Sequence, residues 1–468
     1  MKCLATPHQP MGATADVLFD CKFHRILLYG RMSIKVYPDA PRMDLCCSSI
    51  RFATTSDTVS QMGKARFLSN PYPDVVLTQA DCDELLALEN RLLEENFRKY
   101  ESFVVHDHRK VDEARWKKLT TDENLHVYVE RERWMDESED EVPTDQVPPE
   151  AVRNNLPKLL CVGTFHGELN DLMFGTVNPT QDIMRVKASY VKDYDDGAVL
   201  ANVIVPTVDD PFRSVTVKWT QINLPLGSTR LVCNRDFVCL EATGVLHFAN
   251  GDRVGYQLLH SIDFPQTKAL LPNTVRARHT ITGFYRQTNH NVIDTFAFDT
   301  VDPGGKVVRK LALLASGEAL LSTNNYVTCG QKKKLNWLLQ RRVAEARFNR
   351  QRSSTRNGFQ DESVCVVCKR TLTPGSFGLP RMRGLGKSTC KLCMNPVCSH
   401  CKVVKPISFL SPDGKLFKHK ISFCRLCICE VNNMDALQAA RDQAEGYGAY
   451  KMMQSLSGSD TLSDDLNE

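Results

Sequence analysis

The spacing of apolar positions changes character several times along the chain. From Ala80 to Tyr100 it is helical: Leu85, Leu88 and Leu92 form one i, i+3, i+7 stripe, which Leu86, Leu93, Phe97 and Tyr100 widen. Glu and Arg occupy much of the remaining surface, so an amphipathic helix is predicted. LHVYVERER from Leu125 alternates as a strand, and KLLCVGTFHG from Lys158 reads as the next. Between them MDESEDEVPTDQVPPE is acidic and proline-bearing, which predicts an exposed loop. GELNDLMFGTV from Gly167 and PTQDIMRVKASYV from Pro179 read as two short helices, and Pro179 suits a first helical turn.

The period then becomes two and stays there. Segments beginning at Ala198, Phe212, Leu231, Arg253, Val275 and Val292 are rich in β-branched and aromatic residues, with turn residues between them. After Pro303-Gly304-Gly305 the apolar spacing is helical again and predicts one long helix running past Lys332. Residues 1–76 have no sustained periodicity and read as a weakly structured leader, with one or two short strands near His24 and a second possible start at Met62. The order of elements gives an α+β domain over 77–342: a curved antiparallel sheet closed by a long C-terminal helix. A basic linker at 343–359 then leads to a cysteine-rich module at 360–430. Residues 431–468 read as a C-terminal helix with a disordered acidic tail ending SGSDTLSDDLNE.

Composition changes this picture little until cysteine is counted. A length of 468 residues allows two to four domains, and 42% apolar with 24% charged residues is globular. No apolar run is long enough for an ordinary membrane-spanning helix, and the N-terminus lacks the apolar core of a secretory signal. The expectation is a soluble, cytoplasmic protein. Of 18 cysteines, nine fall between Cys365 and Cys429. Clustering of that kind in an intracellular chain points to metal rather than disulfides.

The order of helix, strands, two short helices, about six strands and a closing helix resembles a START-type (helix-grip) lipid-transfer domain. GELNDLMFG, VKWTQINLP (Val217–Pro225), RDFVCLEATG (Arg235–Gly244) and VGYQLLHSIDFP (Val254–Pro265) fit that plan. The resemblance implies an apolar tunnel between sheet and last helix that holds one lipid or other apolar small molecule. Cys233, Cys239, His260 and Asp263 include the residue types of a nucleophile–base set, but no nucleophile-elbow glycines flank a Ser or Cys. The domain is therefore expected to be non-enzymatic. Arg235 and Asp236 are expected to pair on the sheet surface; as strand neighbours, only one of them can face the cavity.

The C-terminal cysteines fall into four C-x-x-C pairs: Cys365/Cys368, Cys390/Cys393, Cys398/Cys401 and Cys424/Cys427. Eight thiolates satisfy two tetrahedral structural Zn²⁺ sites and leave no position open for a catalytic water. Cys429 reads as a spare, and His400 as a weaker alternative to Cys401. The stretch Cys390-Lys-Leu-Cys393-Met-Asn-Pro-Val-Cys398-Ser-His-Cys401 resembles a FYVE-type zinc finger. In that family pairs one and three share one ion and pairs two and four the other. That implies Cys365, Cys368, Cys398 and Cys401 at one zinc, and Cys390, Cys393, Cys424 and Cys427 at the second.

Residues that read phosphatidylinositol 3-phosphate in FYVE domains are largely missing. FQDESV before Cys365 has no tryptophan, Gly386-Lys387-Ser388-Thr389 replaces the basic stretch before Cys390, and Ser422-Phe423 replaces the Arg before the seventh cysteine. Between Cys365 and Cys427 there are nonetheless 12 Lys and Arg against Asp413 alone, and Lys332–Arg356 adds nine more against Glu345. The expectation is contact with an anionic, phosphoinositide-bearing membrane through Arg381, Arg383, Lys387 and Lys391 and the upstream basic helix, peripherally on endosomes. A RING- or PHD-like module with a protein partner is the alternative. No nucleic-acid signature accompanies the charge. The finger and the START-like domain are expected to hold separate cores joined by the polar stretch Gln351–Gln360.

Overall fold

A computed structural model describes residues 70–446, apart from positions 74, 192, 249, 270 and 272 and the segments 132–155, 223–232, 306–308, 353–363, 373–387 and 412–413. The readings of the leader, the acidic loop, the polar stretch before the finger, Arg381, Arg383, Lys387 and the acidic tail fall mainly or wholly outside the described residues.

Helix α1 (Gln79–Val105) starts where a capping box closes it. The Thr78 hydroxyl accepts from the Asp81 amide at 3.2 Å, and the Asp81 carboxylate accepts from the Thr78 amide at 2.8 Å. Its buried face runs through Leu85, Glu89, Leu93, Phe97, Tyr100 and Phe103, while Leu88 and Leu92 are only half-buried. The face is turned from the leucine stripe because Glu89 is drawn into the core by an ion pair with Arg213 at 2.6 Å.

The strands are β1 (Trp116–Asp122), β2 (Leu125–Glu130), β3 (Lys158–His166), β4 (Asp196–Ile204), β5 (Ser214–Ile222), β6 (Asn234–His247), β7 (Arg253–Ser261), β8 (Thr274–Arg276), β9 (Arg278–Asn289) and β10 (Val292–Asp302). They form one sheet in the order β1-β2-β3-β10-β9-β7-β6-β5-β4, antiparallel except where β8 lies parallel to β6. The α+β class holds. β1 was not foreseen: of WKKLTTD only Trp116 is buried, so this edge strand lacks the alternating pattern.

One face of the sheet packs on α1 through Val215, Val217, Leu240, Ala242, Leu258, Phe284 and Phe296. The other meets α2 (Leu169–Thr176), α3 (Gln181–Ala188), α4 (Arg309–Leu321) and α5 (Asn324–Arg352). The expected single closing helix is thus two. Ser322 and Thr323 turn their hydroxyls back onto the Ala319 and Leu320 carbonyls, at 2.7 and 2.8 Å, a local bond that competes with the helical ladder.

α5 continues ten residues past position 342, into the segment read as linker. Near its start it crosses α2 at backbone contact: a Cβ on Gly330 would lie 1.9 Å from the Asp171 carbonyl oxygen, and one on Gly175 1.9 Å from that of Tyr326. Beyond the crossing, Leu335, Leu338 and Leu339 belong to the core of the cysteine-rich module. The two cores are distinct clusters, but one helix serves both and joins them more closely than a polar stretch alone would.

Candidate metal centre and ligand cavity

The module is built from short hairpins. β11 (Ser388–Thr389) pairs with β12 (Pro396–Val397), and β13 (Lys402–Leu410) pairs with β14 (Leu416–Cys424), which leads into α6 (Arg425–Asn433). The first two C-x-x-C pairs adopt the same turn. Lys369 and Met394, each one residue past its pair, have φ of 59° and donate their amides to the Cys365 and Cys390 carbonyls at 2.9 Å. Cys424 caps α6, its sulfur accepting from the Cys427 amide at 3.4 Å, and Cys365 Sγ accepts from the Cys398 amide at 3.4 Å.

These turns bring the sulfurs into two quartets, Cys365, Cys368, Cys398 and Cys401, and Cys390, Cys393, Cys424 and Cys427, each within 4.8 Å of one another. Tetrahedral Zn–S bonds of about 2.3 Å place sulfurs about 3.8 Å apart. The Cys368–Cys398 and Cys393–Cys424 separations are 3.7 and 3.9 Å. All-thiolate, four-membered and closed, both sets fit structural zinc, and alternate pairs share each site. Cys429 and His400 lie outside both groups.

The module leans on the rest of the chain. Ser408 donates its amide to Tyr190 Oη at 2.6 Å, Lys418 donates to the Ser189 carbonyl at 2.6 Å, and Arg185 donates to the Gly414 carbonyl. Trp337 on α5 donates to Asp442 at 2.9 Å, in the helical segment 437–446. Of the expected membrane contacts, Lys391 is exposed on its knuckle. The upstream basic helix contributes less than its sequence promised. Lys333 is buried and donates to the Phe174 carbonyl at 2.6 Å, and Lys334 is buried against Asp171 at 2.7 Å. Sequence reading missed Lys418 and Lys420, exposed on β14 beside Phe417.

The second site is a cavity of about 130 Å³ between the inner sheet face and α4. On the same measure one water needs about 10–15 Å³. Its walls are largely apolar, with Ile222, Leu259, Ile281, Val301, Ala312 and Leu320 beside the rings of Phe237, Tyr285 and Tyr326. A charged cluster occupies one part. Glu241 is ion-paired with Lys218 and accepts from Gln257 at 2.9 Å, while Lys187 holds Asp193 at 3.2 Å. Burial alone would raise Glu241, but Lys218 and Lys187 bring its pKa down to about 2.

Alternation along β6 sends Arg235, Phe237, Cys239 and Glu241 inward. Asp236 therefore does not pair with Arg235. It lies buried on the opposite face of the sheet, accepting from Arg276 at 2.9 Å and Trp219 at 3.1 Å, while Arg235 binds the Pro303 and Gly304 carbonyls at 2.7 and 3.0 Å.

The residues of the hypothetical nucleophile–base set are dispersed. Cys233 is exposed, His260 bonds Thr280 at 2.8 Å, and Asp263 pairs with Arg278 at 2.7 Å. The histidine that does reach Cys239 is His279, its Nε2 3.2 Å from Sγ. Burial pushes the Cys239 thiol up to about 12 and His279 down to about 4, so both are neutral near pH 7. A neutral thiol beside a neutral imidazole is not an activated nucleophile.

No family model matches the chain, and no curated protein matches it. Among solved structures the chain is similar to human StAR-related lipid transfer protein 5 (14% identity, 53% of this chain and 97% of that one, TM-score 0.35). It is also similar to human STARD10 (14% identity, 55% and 81%, TM-score 0.32). A third is a STAR-related lipid transfer protein fragment from Xanthomonas axonopodis (14% identity, 46% and 96%, TM-score 0.30). These likenesses concern fold alone. At such TM-scores the architecture rests on the strand register itself.

Proposed function

We propose that the protein is a non-enzymatic lipid-binding adaptor: a START-like cavity takes one apolar ligand, and a FYVE-like double-zinc finger meets an anionic membrane. The observation that carries the first half is the cavity itself, apolar over most of its wall and charged over one part, as an amphipathic ligand requires. The delipidated full-length chain is expected to take up a fluorescent lipid or sterol. At a ligand concentration of 100 Kd the gain is about 2.7 kcal/mol, which a melting curve reads directly. A broad lipid panel that leaves the curve unmoved would remove the ligand reading.

The second half is supported by charge: 12 Lys and Arg against one acid between Cys365 and Cys427, with Lys391, Lys418 and Lys420 exposed. The geometry-specific donors of phosphatidylinositol 3-phosphate readers are missing from the sequence, so the attraction is diffuse Coulomb attraction, worth about 1 kcal/mol per basic residue near the surface. Binding to acidic liposomes is expected to be broad, with little preference among phosphoinositides, and to fall steeply between roughly 50 and 300 mM salt. Lys387→Glu with Lys391→Glu should weaken it with zinc retained. Absence of liposome binding at low salt would move the finger to the RING- or PHD-like, protein-binding class. Attachment to endosomes is part of the same proposal and follows only if phosphoinositide membranes are bound.

A further inference from the structure

Asp299 lines the cavity from the middle of β10 and is 1% exposed. Its Oδ1 has no hydrogen-bond partner among the described residues. Its neighbours are apolar: Ala297 and Val301 share its face of β10, with Ile281 opposite on β9 and Leu159 opposite on β3. Burial, with no cation beside it among the described residues, raises its pKa to about 8.

This carboxyl is an exception within the chain. Seven acids are buried among the described residues, and six of them, Glu89, Glu130, Asp171, Asp236, Glu241 and Asp294, hold an Arg or Lys within 3.5 Å. Asp299 has none, and it faces the cavity. The cavity's own cations are already engaged: Lys218 by Glu241, Lys187 by Asp193, and Arg235 by backbone carbonyls. A buried carboxylate is stable when paired and costly when not. The missing cation is therefore one that a ligand can bring.

We propose that the cavity binds an amine, a ligand whose amino group sits on an aliphatic body and forms an ion pair with Asp299. The inference rests on reading the cavity as a ligand site and adds the chemical class. The ammonium would take the position an Arg or Lys takes beside the other six acids, and the apolar walls would take the chain. A neutral Asp299 donating to a carbonyl or hydroxyl is the competing chemistry; the pairing habit of the other six acids favours the cation.

Three probes of equal chain length separate these outcomes. The full-length protein, stripped of co-purifying ligand, is titrated calorimetrically near pH 7 with octylamine, octan-1-ol and octanoate, alongside Asp299→Asn. Wild type should bind octylamine at least about tenfold more tightly than octan-1-ol, equivalent to about 1.4 kcal/mol, with octanoate weakest. In Asp299→Asn, nearly isosteric but uncharged, the amine advantage should fall to about twofold or less while octan-1-ol is little changed. Asp299 has no polar partner to lose among the described residues, so the variant should fold, as its melting curve would verify. The wild-type comparison stands without it. Octan-1-ol binding as tightly as octylamine, or an amine preference that survives in the variant, overturns the amine assignment and leaves the cavity reading intact. Binding of none of the three overturns both.

Discussion

Removing zinc should unfold more than the finger. Chelation of the reduced full-length protein, or Cys390→Ser, is expected to lower the melting temperature of the whole chain. The module's core is small: beside the cysteine side chains it holds Leu392, Val397, Ile407, Phe423 and Val431, together with Leu335 from α5. A structural zinc contributes roughly 10–16 kcal/mol in small peptides, so that core depends on the metal. When it opens, Leu335, Leu338 and Leu339 are exposed on a helix that also packs on α2. Lys334 on that same helix is buried in an ion pair with Asp171 of α2 and donates to the Met434 carbonyl at 2.5 Å. Loss should therefore spread toward the sheet domain. Differential scanning calorimetry tests this. One transition that broadens and falls on chelation is expected; an unchanged high-temperature transition would show that the sheet domain is indifferent to the finger.

The second large effect concerns the α2–α5 crossing. Gly330→Ala places a methyl 1.9 Å from the Asp171 carbonyl oxygen, which is backbone and cannot rotate away. The helices must part, disturbing both the buried Asp171–Lys334 pair and the seat of α5 on the sheet domain. A destabilisation of about 3 kcal/mol is expected, at the upper end of overpacking, and a fall in melting temperature of roughly 10 °C. Gly446→Ala, with nothing within 4 Å of the added carbon, is the matched control and should stay within about 1 kcal/mol of wild type. Equal melting of the two variants would mean that the crossing is looser than described.

Much of this architecture was legible because the strands are rich in β-branched and aromatic residues and bounded by turn residues, so starts read at Arg253 and Val292 coincide with β7 and β10. What escaped was register. Cys239 and His279 lie 40 residues apart and meet only because β6 and β9 both flank β7 in one sheet. The expected Arg235–Asp236 pair failed for the same reason, since alternation separates the two side chains and the cation for Asp236 comes from Arg276. Asp299 carried a signal of its own. In FAFDTVD it shares its face with Ala297 and Val301, an acid among apolar residues, opposite to Phe296 and Phe298. The C-x-x-C spacing marked four ligand pairs without saying which would share an ion. α5 was read as a basic exposed helix because Lys333 and Lys334 look solvated in sequence; burial by α2 and the segment after α6 is a tertiary fact.

Native mass spectrometry of the intact, reduced protein tests the central claim, that one chain carries two closed zinc sites and one ligand cavity. The expected spectrum shows the chain with two zinc ions and, after incubation with a lipid panel, a single further lipid mass that denaturing conditions remove. A chain carrying no zinc or one zinc, or one that takes up no lipid from any member of the panel, would contradict it.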